Sequence, residues 1–195
     1  MTLAIQSAAV GSSVGGAQPK FLVFTEDQGH VIVKFAAVGT RMAEPLKLEC
    51  VALQCLANAG FMQNDGDAFL GVKRFHRVGA TGRIGIVSAG ALDDERFGQR
   101  DSWSQFAQRC KSSRQPKPAS AQRLHSTAVY SELITNSDRH FENISLMLDA
   151  RGEVSDLAPA YDLLPMKDAL ICSGVNPALS HVARKLGSIG CRAYV

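Results

Sequence analysis

The chain has 195 residues, 46% hydrophobic and 20% charged, with a formal net charge of +3, which suits one domain with a substantial core or two small lobes around a cleft. So mild a charge tolerates phosphate-bearing ligands without marking a nucleic-acid surface, and direct nucleic-acid binding is not expected. Five cysteines (Cys50, Cys55, Cys110, Cys172 and Cys191) with no CxxC spacing argue against a disulfide framework or a zinc site.

"MTLAIQSAAVGSS" (1–13) has neither the basic n-region nor the long apolar stretch of a secretory signal. No apolar run approaches the ~20 residues of a membrane helix. A cytoplasmic address without a membrane partner is therefore expected. "GSSVGGAQPK" (11–20) is a Gly/Ser stretch and a near miss for a Walker A loop. Gly11 and Gly16 have the right separation, but Ala17-Gln18 stands where Lys-Ser/Thr belongs. Bare backbone amides there could still cradle phosphate oxygens.

"KFLVF" (20–24) and "HVIVKFAAV" (30–38), joined by "TEDQG", predict a β-hairpin. "EPLKLECVALQCLANAG" (44–60) predicts a helix with Pro45 in its first turn, one apolar face and Gly60 at its end. "AFLGVKRFHRV" (68–78) returns to strand character. Residues 79–101 are expected to be loop, with a short strand at "RIGIVS". "SWSQFAQRC" (102–110) predicts a short helix capped by Ser102, followed by a basic loop at 111–120. Residues 121–133 are helical in pattern, with Leu124, Ala128 and Leu133 available to the interior. Two strands with a turn at 149–152 are expected across 144–159. His76, His125 and His181 lack metal-ligand spacing, and the basic cluster 109–117 reads as a solvated loop.

"SDRHFENISL" (137–146) concentrates the chemistry. Phosphoryl transfer from ATP needs backbone over the phosphates, a Lys on them, an Asp facing the attacking hydroxyl, and an amide and a second Asp on Mg²⁺. Asp138 and Asn143 have the D-x-x-x-x-N separation of protein kinases, a weak signal alone. Lys34 lies in "VIVKF", a strand from which it could enter a cleft, and Glu49 on the following helix could pair with it. Asp162 in "PAYDLLP" follows a strand pair, long enough to bring a carboxylate back beside the loop.

In this order, "SVGGAQPK", "VIVKF", "VKRFHR", "NSDRHFENISL" and "LAPAYDLLP" resemble the kinase core of the HipA-type toxins, bacterial Ser/Thr kinases of toxin–antitoxin pairs. The resemblance runs from about Ser12 to Pro165. It implies an α+β, two-lobed protein-kinase-like fold. Residues 1–78 would form a sheet with one helix, and 79–195 a mainly helical, incomplete second lobe. Measured against longer members, the N-terminal small domain and most of the helical C-terminal lobe are missing.

The same resemblance implies site roles. Asp138 would be the catalytic acid that accepts the substrate hydroxyl proton, and Asn143 and Asp162 would hold Mg²⁺. Lys34 would contact the α/β-phosphates, with Glu49 as its ion-pair partner. Lys73, Arg74 and Phe75 would form the hinge against adenine, and His140 and Tyr161 would line the nucleotide. Residues from Gly15 through Lys20, including Gly16, Ala17 and Gln18, would be the phosphate loop. Ser13, or Ser12 beside it, would be the autophosphorylated serine. Two positions depart from the family: His76 replaces its usual Asp, and Glu142 stands where Lys is frequent.

The implied function is an ATP- and Mg²⁺-dependent Ser/Thr kinase acting on a translation protein such as an aminoacyl-tRNA synthetase, with a DNA-binding antitoxin as partner. Two rivals remain. A metal-dependent nuclease could use Asp138, His140 and Asp162 to activate water, although no second carboxylate cluster is visible. A catalytically impaired kinase-fold binding module would suit Glu142 and the short second lobe.

Overall fold

The computed structural model describes residues 18–56, 59–63 and 66–165, the segment 59–63 by its backbone alone. Ser12, Ser13, Gly15, Gly16 and Ala17 lie outside the described residues.

The first hairpin joins β1 (Lys20–Thr25) to β2 (Gly29–Ala37), with Thr25 opposite Gly29. Gly29 has φ +74°, a left-handed turn position open to glycine at no steric cost. Helix α1 (Ala43–Gln54) follows, then β3 (Ala59–Gln63) and β4 (Asp67–Lys73). The four strands form one antiparallel sheet in the order β1-β2-β4-β3. Ala36, Ala43, Leu46, Cys50, Ala68 and Leu70 seal α1 against it.

Two expectations change here. The helix anticipated to Gly60 stops at Gln54, and 59–63 leaves it to pair with β4. A short Ala/Gly-containing segment is ambiguous between helix and strand, and the open ladder of β4 decides it. The strand anticipated over 68–78 ends at Lys73; the chain turns at Arg74 and re-pairs as the small ladder of β5 (Arg77–Val78) and β6 (Gly82–Arg83).

The second half begins with β7 (Ile86–Ser88) and α2 (Ala89–Arg96). α2 occupies a stretch expected to be loop. Its N-terminal signal is Ser88, whose Oγ accepts from Ala91 N at 3.1 Å. α3 (Trp103–Ser113) starts where anticipated, Ser102 Oγ accepting from Gln105 N at 3.2 Å. It runs three residues into the supposed basic loop, and α4 (Pro118–Leu133) takes the last three, with Pro118 in its first turn. A 3₁₀ turn at Phe141–Asn143 then leads to β8 (Ser145–Leu148) and β9 (Val154–Leu157), which complete a sheet ordered β7-β8-β9.

Phe106, Leu124, Leu146 and Leu163 lie at the centre of this half, none more than 1% exposed. Leu124 and Ala128 face inward as expected, whereas Leu133 is 76% exposed at the end of α4. Ala52 and Leu53 of α1 belong to the same apolar cluster, so one helix is buried on both sides and couples sheet to helices.

Candidate active site

Lys34 leaves β2 beside α1, and its ammonium lies 2.7 Å from Glu49 Oε1 and 2.6 Å from Asp162 Oδ1. Burial alone would lower the Lys34 pKa, but the two carboxylates outweigh it and hold the group above its ordinary value. Glu49 is 3% exposed, and burial pushes its carboxyl up against the pull of Lys34. Lys20 stands opposite Lys34 in the ladder of β1 and β2. Gln18 Nε2 donates to Met42 O at 3.2 Å, at the start of α1.

Asp162 has φ +54°, a left-handed conformation uncommon for a residue with a side chain. Its neighbour Tyr161 fastens this turn. The Tyr161 hydroxyl donates to Glu142 O at 2.9 Å and lies 2.7 Å from Ser145 Oγ. On its other side the ring stacks on Phe75, centroids 5.8 Å apart. Phe75 belongs to the turn after β4, anchored by Arg74 N donating to His30 O at 2.8 Å. Lys73 is exposed at the strand's end, opposite Val31. Tyr161 therefore joins the turn after β4 to the loop that carries Asp138.

That loop is braced from within. Asn136 Oδ1 accepts from Asp138 N, and Asn143 Nδ2 donates to Asp138 O, both at 3.0 Å. Asn143 is buried, and with its amide nitrogen donating here its oxygen is the group left to accept. The Asp138 carboxylate is about half exposed, 3.4 Å from His140 Nε2; His140 Nδ1 is 3.2 Å from Glu142 Oε2. Among the described residues no direct bond joins Asp138 to the cluster of Lys34, Glu49 and Asp162.

Residues outside the five motifs support the loop. Arg100 donates to both Asp94 oxygens, at 2.8 and 2.5 Å, and to Glu142 Oε1 at 2.5 Å. Its bond holds the Glu142 carboxyl below the usual range. Asp93, fully buried, accepts from Gln99 N, Arg100 N and Arg109 Nη2 at 2.8–2.9 Å. Trp103 Nε1 donates to His140 O at 3.3 Å. No sequence signal beyond their charge set Asp93, Arg100 and Arg109 apart.

As a donor set, the Asn143 amide oxygen and the Asp162 carboxylate are hard oxygens that fit Mg²⁺, which takes few protein ligands and completes its shell with phosphates and water. Among the described residues, no group of three or more His, Cys, Asp or Glu is placed to hold a metal.

Two solved structures share this architecture. One is HipA of Shewanella oneidensis MR-1, solved in complex with HipB and its operator DNA; it is 20% identical, covers 84% of this chain and 46% of that one, and gives a TM-score of 0.53. The other is the Helicobacter pylori proinflammatory kinase CtkA, 15% identical over 86% of this chain and 65% of that one, with a TM-score of 0.55. The fold is thus a mixed α+β, kinase-like one. The family model of the HipA-like C-terminal domain matches residues 12–187, and the chain belongs to that family. Toxin YjjJ of Escherichia coli K12 is a curated relative, 32% identical over 179 residues. The match takes in 84% of this chain and 40% of the relative's length.

Proposed function

We propose that the chain is the ATP- and Mg²⁺-dependent core of a serine/threonine protein kinase, with the nucleotide bound between an N-lobe-like subdomain (1–78) and a C-lobe-like subdomain (79–195). The observation that carries this reading is Lys34 held between Glu49 and Asp162. A cation already supported by one carboxylate and touching a second is suited to stand on phosphates while the second carboxylate turns to a metal. Asn143 and Asp162 would hold Mg²⁺, which neutralises charge developing on the phosphates. Asp138 would orient the substrate hydroxyl and take its proton. Phe75 and Tyr161 would flank the base, with Lys73 and Arg74 at the hinge and His140 near the phosphates. Gly15, Gly16, Ala17, Gln18 and Lys20 would cover the phosphates, and Ser12 or Ser13 would be the autophosphorylated residue.

Membership of the HipA-like family and the toxin relative support a role as a toxin. The HipA neighbour was solved with HipB and operator DNA, so a DNA-binding antitoxin partner belongs to the same proposal, as does a translation-related protein substrate. No helix among the described residues is long and apolar enough to cross a membrane, and a cytoplasmic address is part of the reading.

Incubation with γ-labelled ATP and Mg²⁺ tests it. Label should appear on Ser12 or Ser13, and Asp138→Asn should lower transfer by about 10²–10⁴-fold, the range of a general base. Undiminished labelling in Asp138→Asn would overturn the assignment. Plasmid nicking that needs Asp138 but not ATP would favour the nuclease instead.

A further inference from the structure

The hairpin after β4 concentrates positive charge beside the segment assigned to the hinge, and Arg74 is the one residue the two share. The ladder of β5 and β6 sets Arg77 directly opposite Arg83. A turn closed by Arg77 N donating to Arg74 O at 3.1 Å brings Arg74 alongside, and His76 O accepts from Ile84 N at 3.0 Å. Arg74 Nη2 lies 2.9 Å from His76 Nε2. A guanidinium has only donors, so Nε2 is the accepting nitrogen and the ring proton sits on Nδ1. That Nδ1 is buried with no hydrogen-bond partner, and so are Arg74 Nε and Arg77 Nε.

No ion pair joins Arg74, Arg77 or Arg83 to a carboxylate among the described residues. Like charges directly opposite in a ladder repel, and folded proteins leave few buried donors unpaired without a reason. Burial first, then the neighbouring arginines, lower the pKa of both Arg74 and His76. Arg83 is exposed and Arg77 half-buried, so the cluster opens to solvent on one side.

We propose that Arg74, His76, Arg77 and Arg83 form a binding site for a phosphate group, separate from the Lys34–Asp162 cluster. A phosphate group offers at least three acceptor oxygens and carries about 1.5 to 2 negative charges at neutral pH. A carboxylate has two oxygens and one charge, a poorer match for three arginines. The anion screens Arg77 from Arg83 and, as the guanidinium groups turn toward it, gives their Nε–H groups an acceptor. It arrives either as free phosphate or on the sugar of a nucleotide lying along Phe75. The second source rests on the nucleotide reading above; the first does not.

The test is calorimetric titration of the full chain with inorganic phosphate, adenosine 5′-monophosphate and adenosine 3′,5′-bisphosphate at constant ionic strength without Mg²⁺. Wild type, Arg83→Gln, Arg77→Gln and Lys34→Met are compared. Arg83 is exposed, so Arg83→Gln keeps the fold, which circular dichroism verifies. Inorganic phosphate should bind Arg83→Gln about tenfold more weakly than wild type, the size of one lost charge-assisted bond. A nucleotide-borne phosphate gives instead a bisphosphate that binds more tightly than the monophosphate, an advantage that Arg83→Gln and Arg77→Gln abolish. The proposal is overturned if both arginine variants bind every probe as wild type does, or if Lys34→Met alone loses phosphate. It is also overturned if no probe exceeds chloride. Should the kinase reading fail, the free-phosphate result still stands or falls by itself.

Discussion

Lys34 Nζ and Asp162 Oδ1 lie 2.6 Å apart although 128 residues separate them in the chain. Lys34 belongs to the first sheet and Asp162 to the turn after the last strand, so this ion pair closes the cleft between the two halves. Its geometry depends on Tyr161, which ties the Asp162 turn to Ser145 and to the Glu142 carbonyl. Asp162 is half exposed, so in the proposed kinase a metal ion and a triphosphate would reach both partners and draw them apart.

The helical half rests on Phe106, fully buried with its ring 5.4 Å from Phe141 and 6.3 Å from Phe97. Phe106→Ala is expected to cost about 3–5 kcal/mol, through lost burial and the cavity left behind. Urea denaturation of the full chain checks it. Because Phe141 sits inside the Asp138–Asn143 loop, nucleotide affinity should fall with stability.

Asp93 gives a pH dependence with a definite sign. Burial raises its pKa, but bonds from the Arg100 and Gln99 amides and from Arg109 outweigh burial, so the folded value lies below the ordinary one. Its contribution to stability is therefore fully present above the unfolded carboxylate pKa of about 3.9 and is lost as pH falls through the lower folded value. Asp93→Asn should flatten this acid limb. Asp93→Ala takes the acceptor from the Gln99 and Arg100 amides while Arg109 keeps its bonds to Asp101, and should cost about 1–3 kcal/mol per stranded amide at neutral pH. Thermal melts from pH 2 to 7 test both.

Arg100 grips Glu142 while Glu142 reaches His140 and His140 reaches Asp138. Releasing the chain of contacts at its far end should disturb Asp138 and, through His140, the phosphates. In Arg100→Ala, phosphoryl transfer should fall by a larger factor than ATP affinity does, and Arg100→Lys should restore part of it. Gly90→Ala should act the same way, since a Cβ there would meet Glu142 Oε1 at 2.6 Å and Arg100 Nη1 at 2.7 Å. Steady-state kinetics and ATP titration separate the two quantities.

The hairpin, α1, the α3 cap and the final strand pair were legible because each carries a local signal: alternation, a Pro in a first turn, a Ser cap. β3 and α2 were not. Residues 59–63 become a strand only because β4 has an open edge, and α2 is short, acidic and Gly-containing, so its pattern is loop-like. The same divide runs through the site. Lys34, Asp138, Asn143 and Asp162 stand in motifs with recognisable spacing. Arg100, Asp93 and Arg109 matter through contacts across the fold, which spacing along the chain does not encode.

The central claim is that Lys34, Asn143 and Asp162 meet around one Mg²⁺–triphosphate. Calorimetric titration of ATP with and without Mg²⁺ tests it most directly. Mg²⁺ should tighten ATP binding in the wild type, Asp162→Asn and Asn143→Ala should erase that gain, and Lys34→Met should weaken ATP whether or not Mg²⁺ is present. ATP binding that is indifferent to all three substitutions would contradict the account.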